Sequence, residues 1–269
     1  MPSVASRDNE TVRETLALAD ARVCVRGEIL AGLPLVQLLL RRAHSDLELG
    51  IRFHGYRMKF RPLSYDSKVL YDIFVKRVYG AIPRNCSIVD IGAHIGIFTL
   101  YCCQARALKV LAFEPESKNF KLLMKNVQAN HLSNVHAFRL GVWSRNETKI
   151  LFTTSGSGFH SFYPANNHIG GSETISCVGI NTVLDPLESP VFIKIDAEGS
   201  EYEIINHIKS RNTAKISGMV LEYHLGNPVL RASFASLLQC FTSNGFRVNL
   251  DEDSKVLTAM NKNRASSPD

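Results

Sequence analysis

Several things are scarce in this 269-residue chain, and each scarcity narrows its function. Six cysteines are present, but no two stand in a C-x-x-C pair, which excludes a zinc ribbon or a thioredoxin-type redox motif. Residues 1–28 are charged and lack the apolar core of a signal peptide, so no secretory leader is expected. The most apolar stretch, 29–40, is interrupted by Gly32 and Pro34 and falls short of the ~20 residues that span a bilayer. No transmembrane segment is expected, and a reducing, cytoplasmic setting suits the scattered thiols. A dense basic block is also missing. The formal charge is +6, and residues 1–80 hold thirteen Lys/Arg against nine Asp/Glu, spread out and without interleaved aromatics. That pattern reads as a solvated face, so no nucleic-acid partner is expected. There is no internal repeat and no low-complexity tract. The remaining composition, 45% hydrophobic and 21% charged, is that of an ordinary globular chain, and the length suits one large domain with an extension.

What is present is organised around residues 87–100. Ile88, Val89 and Ile91 form a run suited to a buried parallel strand. Gly92 and Gly96 follow, and then Ile97, Leu100 and Tyr101 recur at helical spacing. This strand–glycine turn–helix unit puts Asp90 near the strand's carboxyl end, where doubly wound sheets bind ligands. Gly92 gives the backbone freedom to turn and lets a ligand approach the main chain. A dinucleotide site requires G-x-G-x-x-G, and here the second glycine position is His94. Asp90 would repel a phosphate but accept hydrogen bonds from an ammonium group. The turn therefore suits S-adenosylmethionine (SAM) better than NAD. Residues 109–115 read as the next strand, ending in Glu114, placed to accept hydrogen bonds from ribose hydroxyls. Pro115 ends that strand and opens a helix. Residues 191–205 repeat the theme: an apolar strand, acidic residues, a glycine turn and an amphipathic helix.

Together, Val-Asp-Ile-Gly-Ala-His-Ile-Gly-Ile-Phe-Thr (89–99), Ala-Phe-Glu-Pro-Glu (112–116) and Ile-Lys-Ile-Asp-Ala-Glu-Gly-Ser-Glu (193–201) resemble the FkbM family of SAM-dependent methyltransferases. Leu-Glu-Tyr-His (221–224) matches a weaker motif of the same family. The resemblance covers roughly residues 65–250 and departs from the family at His94, where members often carry Asn. It implies an α/β, Rossmann-like class I methyltransferase fold: a seven-stranded, mostly parallel sheet with an antiparallel terminal strand. An N-terminal extension of helices and a hairpin precedes it. The expected division is 1–80 as extension and acceptor cover, 81–262 as methyltransferase domain, and 263–269 as a frayed tail.

Periodicity places helices at 10–21, 33–43 and 65–79, and a hairpin over 48–61 turning near His54–Gly55. Core strands follow at 87–92, 109–114, 134–142, 191–196 and 218–224. Helices are expected at 96–106, 117–130, 200–209 and 229–244, the second of these burying Phe120, Leu123 and Val127. An inserted β-pair, 148–153 and 174–180, brackets a long loop, and a terminal hairpin spans 246–260. Cys102 and Cys103 are read as core thiols.

The resulting cofactor set is Asp90, Gly92, Ala93, His94, Gly96, Glu114, Pro115, Gly141 and Asp196, with Gly141 placed by related folds beside the adenine. The candidate catalytic residues are Asp196, Glu198 and His224. Asp196 is the first choice for a base; alternatively it holds the SAM ammonium and leaves deprotonation to Glu198 or His224. Ser157, His160, Ser161 and Glu222 are candidates for acceptor contact, and Lys194 is read as a paired structural lysine. The acids and His224 offer ligands for a cation, but their spacing demands none and no metal is assigned. The resemblance implies O-methylation of a sugar, glycan or natural-product small molecule. An amine acceptor and a non-catalytic SAM-binding scaffold are the alternatives. The intact acidic set argues against a decayed site, and His94 argues against an NAD-dependent oxidoreductase.

Overall fold

A computed structural model describes residues 22–25, 28–29, 48–61, 64–154, 156–164, 170–225 and 228–262. The helices expected at 10–21 and 33–43 and the tail at 263–269 lie outside the described residues. The elements begin with β1 (Arg22–Val25), β2 (Glu28–Ile29), β3 (Leu49–Phe53) and β4 (Tyr56–Phe60). These form one sheet in the order β2-β1-β3-β4. Its β3–β4 hairpin turns at His54 and Gly55, both at positive φ, as the sequence predicts.

Beyond α1 (Asp66–Tyr71) and a π-helical turn (Asp72–Lys76), the main αβ unit runs through β5 (Ser87–Ile91), α2 (Ile97–Gln104), β6 (Lys109–Phe113), α3 (Ser117–Ala129) and β7 (Val135–Phe138). An inserted sheet follows, made of β8 (Gly141–Trp143), β9 (Glu147–Thr153) and β10 (Gly171–Gly179). The chain then returns through α4 (Ile180–Leu184), β11 (Val191–Ile195), α5 (Glu201–Asn206), α6 (Ser210–Thr213), β12 (Ile216–Glu222) and α7 (Pro228–Ser243). It closes with β13 (Phe246–Asp251) and β14 (Val256–Asn261).

The main sheet has seven strands in the order β13-β14-β12-β11-β5-β6-β7. β7, β6, β5, β11 and β12 are parallel, and β14 runs antiparallel to both its neighbours. This is the expected Rossmann-like architecture. The chain steps from β5 outward to β6 and β7, then returns to β11 on the other side of β5. The sheet therefore switches direction between β5 and β11, and a crevice opens beyond their carboxyl ends.

The central strands are apolar on both faces because helices cover both. All five residues of β11 are buried. Ile88 and Phe192 face one layer, with α2, α3 and the β3–β4 hairpin; Val89 and Ile193 face the other, with α5 and α7. The hairpin shares that first layer without a break in packing. Two asparagines, Asn126 buried on α3 and Asn130 just past its end, bind its edge. Asn126 accepts from the Lys59 N–H (2.6 Å) and donates to the Lys59 carbonyl (2.9 Å), and Asn130 does the same for Arg57. The open backbone of β4 is thereby satisfied by side chains.

Four local expectations are corrected. The strand expected at 134–142 is two strands: β7 stays in the main sheet, and β8 leaves to pair parallel with β10, Gly141 opposite Cys177. A Cβ on Gly141 would lie 2.6 Å from Phe162 and 2.7 Å from the Cys177 sulfur, so its bareness serves this junction. The helix expected at 65–79 is a short α-helix that widens into the π-helical turn and stops at Arg77, φ +55°. The helix expected at 200–209 splits into α5 and α6. On α3, Phe120 is only half buried; Asn119, Leu122 and Asn126 join Leu123 and Val127 on the inner face.

Candidate active site

The crevice floor is the turn after β5. Gly92 and Ala93 donate their N–H groups to the Phe113 carbonyl, at 3.0 and 2.9 Å. Gly92 and Gly96 sit at φ +71° and +88°, where a side chain is strained. The sequence suggests that Gly92 makes room for a ligand. The structure gives a different reason: a Cβ there would lie 1.8 Å from the Asp196 carbonyl oxygen, because the exit of β11 crosses directly over the turn. Gly96 starts α2 against Leu123, whose Cδ1 would be 2.5 Å from a Cβ.

Glu114, at the end of β6, is held by main-chain donors. One oxygen accepts from the His94 N–H (2.7 Å), the other from the Glu116 N–H (2.9 Å). Burial pushes its carboxyl up to about 7. Glu116, one residue past Pro115, caps α3 through the N–H groups of Lys118 and Asn119. The His94 ring lies 3.2 Å from Asp66, which Arg61 grips with two nitrogens. Burial alone would raise Asp66; His94 and Arg61 overcome it and hold the carboxyl far below the usual range.

The opposite end of the crevice is acidic. Asp90 and Lys194 face each other across the β5–β11 pair. Lys194 is buried, and its ammonium donates to the Gly92 carbonyl at 2.6 Å while lying 3.5 Å from Asp90 and 3.6 Å from Asp196. It is the structural lysine the sequence suggests, and more: it holds the turn and two carboxylates together. Asp90 is fully buried, accepts a hydrogen bond from Thr99 (2.6 Å), and does not line the cavity. Asp90, expected to meet a ligand's ammonium group, here meets the Lys194 ammonium.

His224, at the end of β12, is clamped between acids. Its Nε2 is 3.2 Å from Glu198 and its Nδ1 3.1 Å from the fully buried Glu201. Burial alone would lower it, but the two carboxylates push it up to about 12. A carboxylate beside each ring nitrogen favours the protonated ring, a form that cannot accept a proton. Glu201 also accepts the Ala197 and Gly199 N–H groups, at 2.9 and 3.2 Å, shaping the turn that holds Glu198 at φ +49°. Glu222, a candidate for acceptor contact, ends β12 and is not among the residues that line the cavity. Burial first, then the Asp196 charge, pushes it up to about 8. Atoms of Asp196, Glu198 and His224 lie within 4.8 Å of one another, close enough to share a cation.

Between the two ends lies a cleft that is open at its mouth. Gly92, Ala93, His94, Glu114, Pro115 and Gly141 line it, as do Asp196 and Glu198. Leu140, Val142 and Phe162 give it an apolar wall. Tyr79 and Tyr65 line it as well, and burial raises both phenols far above their ordinary value. Ser157 and His160 enter from the loop between β9 and β10. Ser161 of that loop is already occupied: its hydroxyl donates to the Glu198 carbonyl (2.7 Å) and accepts from the Tyr163 N–H (3.1 Å). Sequence reasoning passed over Glu201, Tyr65, Tyr79 and Asn119. Glu201 alone had a signal, as the last acid of the quoted 193–201 motif.

A family model described as the methyltransferase FkbM domain matches residues 90–248, more than half of the chain. The chain belongs to the FkbM methyltransferase family. It is 22% identical over 210 residues to Methyltransferase 1 of Beauveria bassiana, covering 67% of this chain and 80% of that protein. It is 26% identical over 204 residues to Methyltransferase sdnD of Sordaria araneosa, covering 62% and 78%. A third relative, AMB antimetabolite synthetase AmbE of Pseudomonas aeruginosa, is 25% identical over 244 residues; the match spans 74% of this chain and only 11% of that protein. Among solved structures, an FkbM methyltransferase from Methylobacillus flagellatus KT aligns with TM-score 0.46 and 16% identity over 71% of this chain and 47% of that one. This FkbM-family chain is a methyltransferase. Among its described residues no helix is long and apolar enough to cross a membrane.

Proposed function

We propose that this chain is a SAM-dependent O-methyltransferase that methylates a hydroxyl on a sugar, glycan or natural-product small molecule. The observation that carries this reading is the acidic group at the carboxyl ends of β11 and β12. It opens onto a cavity whose other end presents a carboxylate pre-set by main-chain donors. The cavity's own atoms fit the cofactor. Glu114 keeps lone pairs free for ribose hydroxyls, Leu140, Val142 and Phe162 offer an apolar slot for a purine, and Asp196 is the open carboxylate for an ammonium or an acceptor hydroxyl. Bound SAM supplies an electrophilic methyl group on a sulfonium leaving group.

The residues must orient the acceptor and take its proton. Orientation is worth up to about 7–11 kcal/mol and a placed base about 10²–10⁴-fold in rate. Asp196 is the proposed base because it faces the cavity with its side chain 29% exposed, steadied by Lys194. Glu222, raised by burial and by the Asp196 charge, can take that proton on only in its deprotonated form. Glu198 is held by the His224 ring and shapes the floor. The test is transfer of labelled methyl from SAM to a panel of sugars, glycans and natural-product alcohols, analysed by mass spectrometry. Label on a hydroxyl oxygen supports the proposal. Label only on amines overturns it.

A further inference from the structure

The loop between β9 and β10 is fastened over the cavity at four points. Asn119 donates to the Ser157 carbonyl (2.9 Å), and the Thr154 hydroxyl donates to the Gly158 carbonyl (2.7 Å). The Thr154 N–H donates to Nδ1 of His160 (3.2 Å), and Ser161 anchors the far end on the Glu198 carbonyl. These ties fix two chemical facts. The His160 Nδ1 must accept, so the ring is neutral and its proton sits on Nε2. That Nε2–H is buried, lines the cavity, and has no hydrogen-bond partner among the described residues. The Ser157 hydroxyl is in the same condition on a residue only 4% exposed. Buried polar groups without partners are costly, and two on one cavity wall call for a ligand that satisfies both.

Their position says which end of the ligand. Asn119, which holds Ser157, lies on the first turn of α3, just beyond Glu114 and Pro115. The charges that act on His160 are Glu116, His94, Arg61 and Glu173. Glu116 and His94 both hydrogen-bond Glu114, directly or through their own N–H. The two orphan groups thus belong to the Glu114 half of the cavity.

We propose that the Ser157 hydroxyl and the His160 Nε2–H bind the nucleoside half of the cofactor, donating to purine ring nitrogens or ribose oxygens, so that the β9–β10 loop is a cofactor clasp. This rests on the SAM reading above and moves both residues from acceptor contact to cofactor contact. The acceptor is left to the Tyr65, Asp196 and Glu222 side.

The test is calorimetric and needs no acceptor. The intact chain and two variants are titrated with S-adenosylhomocysteine and with 5′-methylthioadenosine, which keeps the nucleoside but lacks the amino-acid tail. Ser157→Ala removes only the hydroxyl. His160→Asn keeps an acceptor for the Thr154 N–H while removing the Nε2–H, and thermal unfolding confirms that each variant is folded. The expected result is a Kd increase of about 5- to 20-fold per variant, the same for both ligands, as for loss of one buried hydrogen bond. Unchanged affinity for both ligands in folded variants overturns the clasp while leaving the SAM reading intact. A loss seen with S-adenosylhomocysteine but not with methylthioadenosine also overturns it, since the contacts would then be to the tail. If the unaltered chain binds neither ligand, the SAM reading falls, and the clasp with it.

Discussion

The two ends of the cavity use the same residue type in opposite ways. At the β6 end Glu114 is held by the main-chain N–H groups of His94 and Glu116. At the β11–β12 end Asp90, Asp196 and Glu198 pair with two side chains, Lys194 and His224, and Glu201 joins His224 to main-chain donors of its own. Backbone donors do not titrate, and among substitutions only proline removes one. A charge balance among side chains can be tipped by one mutation or by pH.

The largest expected effect comes where the two ends touch. Gly92→Val puts a branched side chain at positive φ into the Asp196 carbonyl, and should cost about 3–5 kcal/mol of stability through overpacking and backbone strain together. A urea midpoint close to that of the unaltered chain would show that β11 does not cross the turn as described.

Substitution on the acidic side alone comes next. Asp196→Asn should lower turnover of a hydroxyl acceptor by about 10²–10⁴-fold, with kcat and kcat/KM falling together and cofactor affinity nearly unchanged. A fall in cofactor affinity as well would make Asp196 the ammonium anchor. Glu198→Gln is the control: a larger loss there transfers the base role to Glu198, and near-normal turnover in both removes this end from the chemistry.

On the other side, Glu114→Ala should weaken S-adenosylhomocysteine binding by about 1.5–3 kcal/mol, the scale of a hydrogen bond to a charged group, with the acceptor KM unaffected. Unchanged affinity in a folded variant would take Glu114 out of the cofactor site.

The smallest effect is a pH dependence that separates the ends without breaking either. Glu222 is raised from 4.5 to about 8, so the folded state holds its proton more tightly than the unfolded chain does. Stability should therefore fall as pH climbs from about 4.5 to about 8. Activity should move the other way, with kcat/KM rising towards a plateau above about 8 as Glu222 becomes free to take a proton. Glu222→Gln should remove that limb of the rate profile. An identical profile in the variant would place the titrating group elsewhere.

Several elements were legible because local pattern and tertiary pairing agree. The β5–turn–α2 unit, the hairpin at His54–Gly55 and the inserted β-pair each carry their period and their glycine in one stretch of chain. The strand at 134–142 misled because its composition runs on unbroken past Arg139 and Leu140, while Gly141, unlike Val135, pairs with Cys177 far downstream. Asn119 and Asn126 were missed because a polar residue on the inner face of a helix breaks the amphipathic stripe, and nothing nearby in sequence announces the hairpin backbone that Asn126 bonds. His224 was read as a base because its two carboxylate partners lie 26 and 23 positions away, on the turn after β11 and the helix beyond it.

Sequence by itself determined the order of the elements, the family and the identity of the acids at the strand ends. These depend on periodicity, glycine placement and contiguous motifs, which are local. Tertiary structure decided what each polar group meets: Asp90 is buried beside Lys194, His224 lies between Glu198 and Glu201, and Ser157 and His160 are left with buried polar atoms that have no partner among the described residues. Protonation and hydrogen-bond roles are set by desolvation and by the nearest charges in space, and the fold brings those from distant parts of the chain.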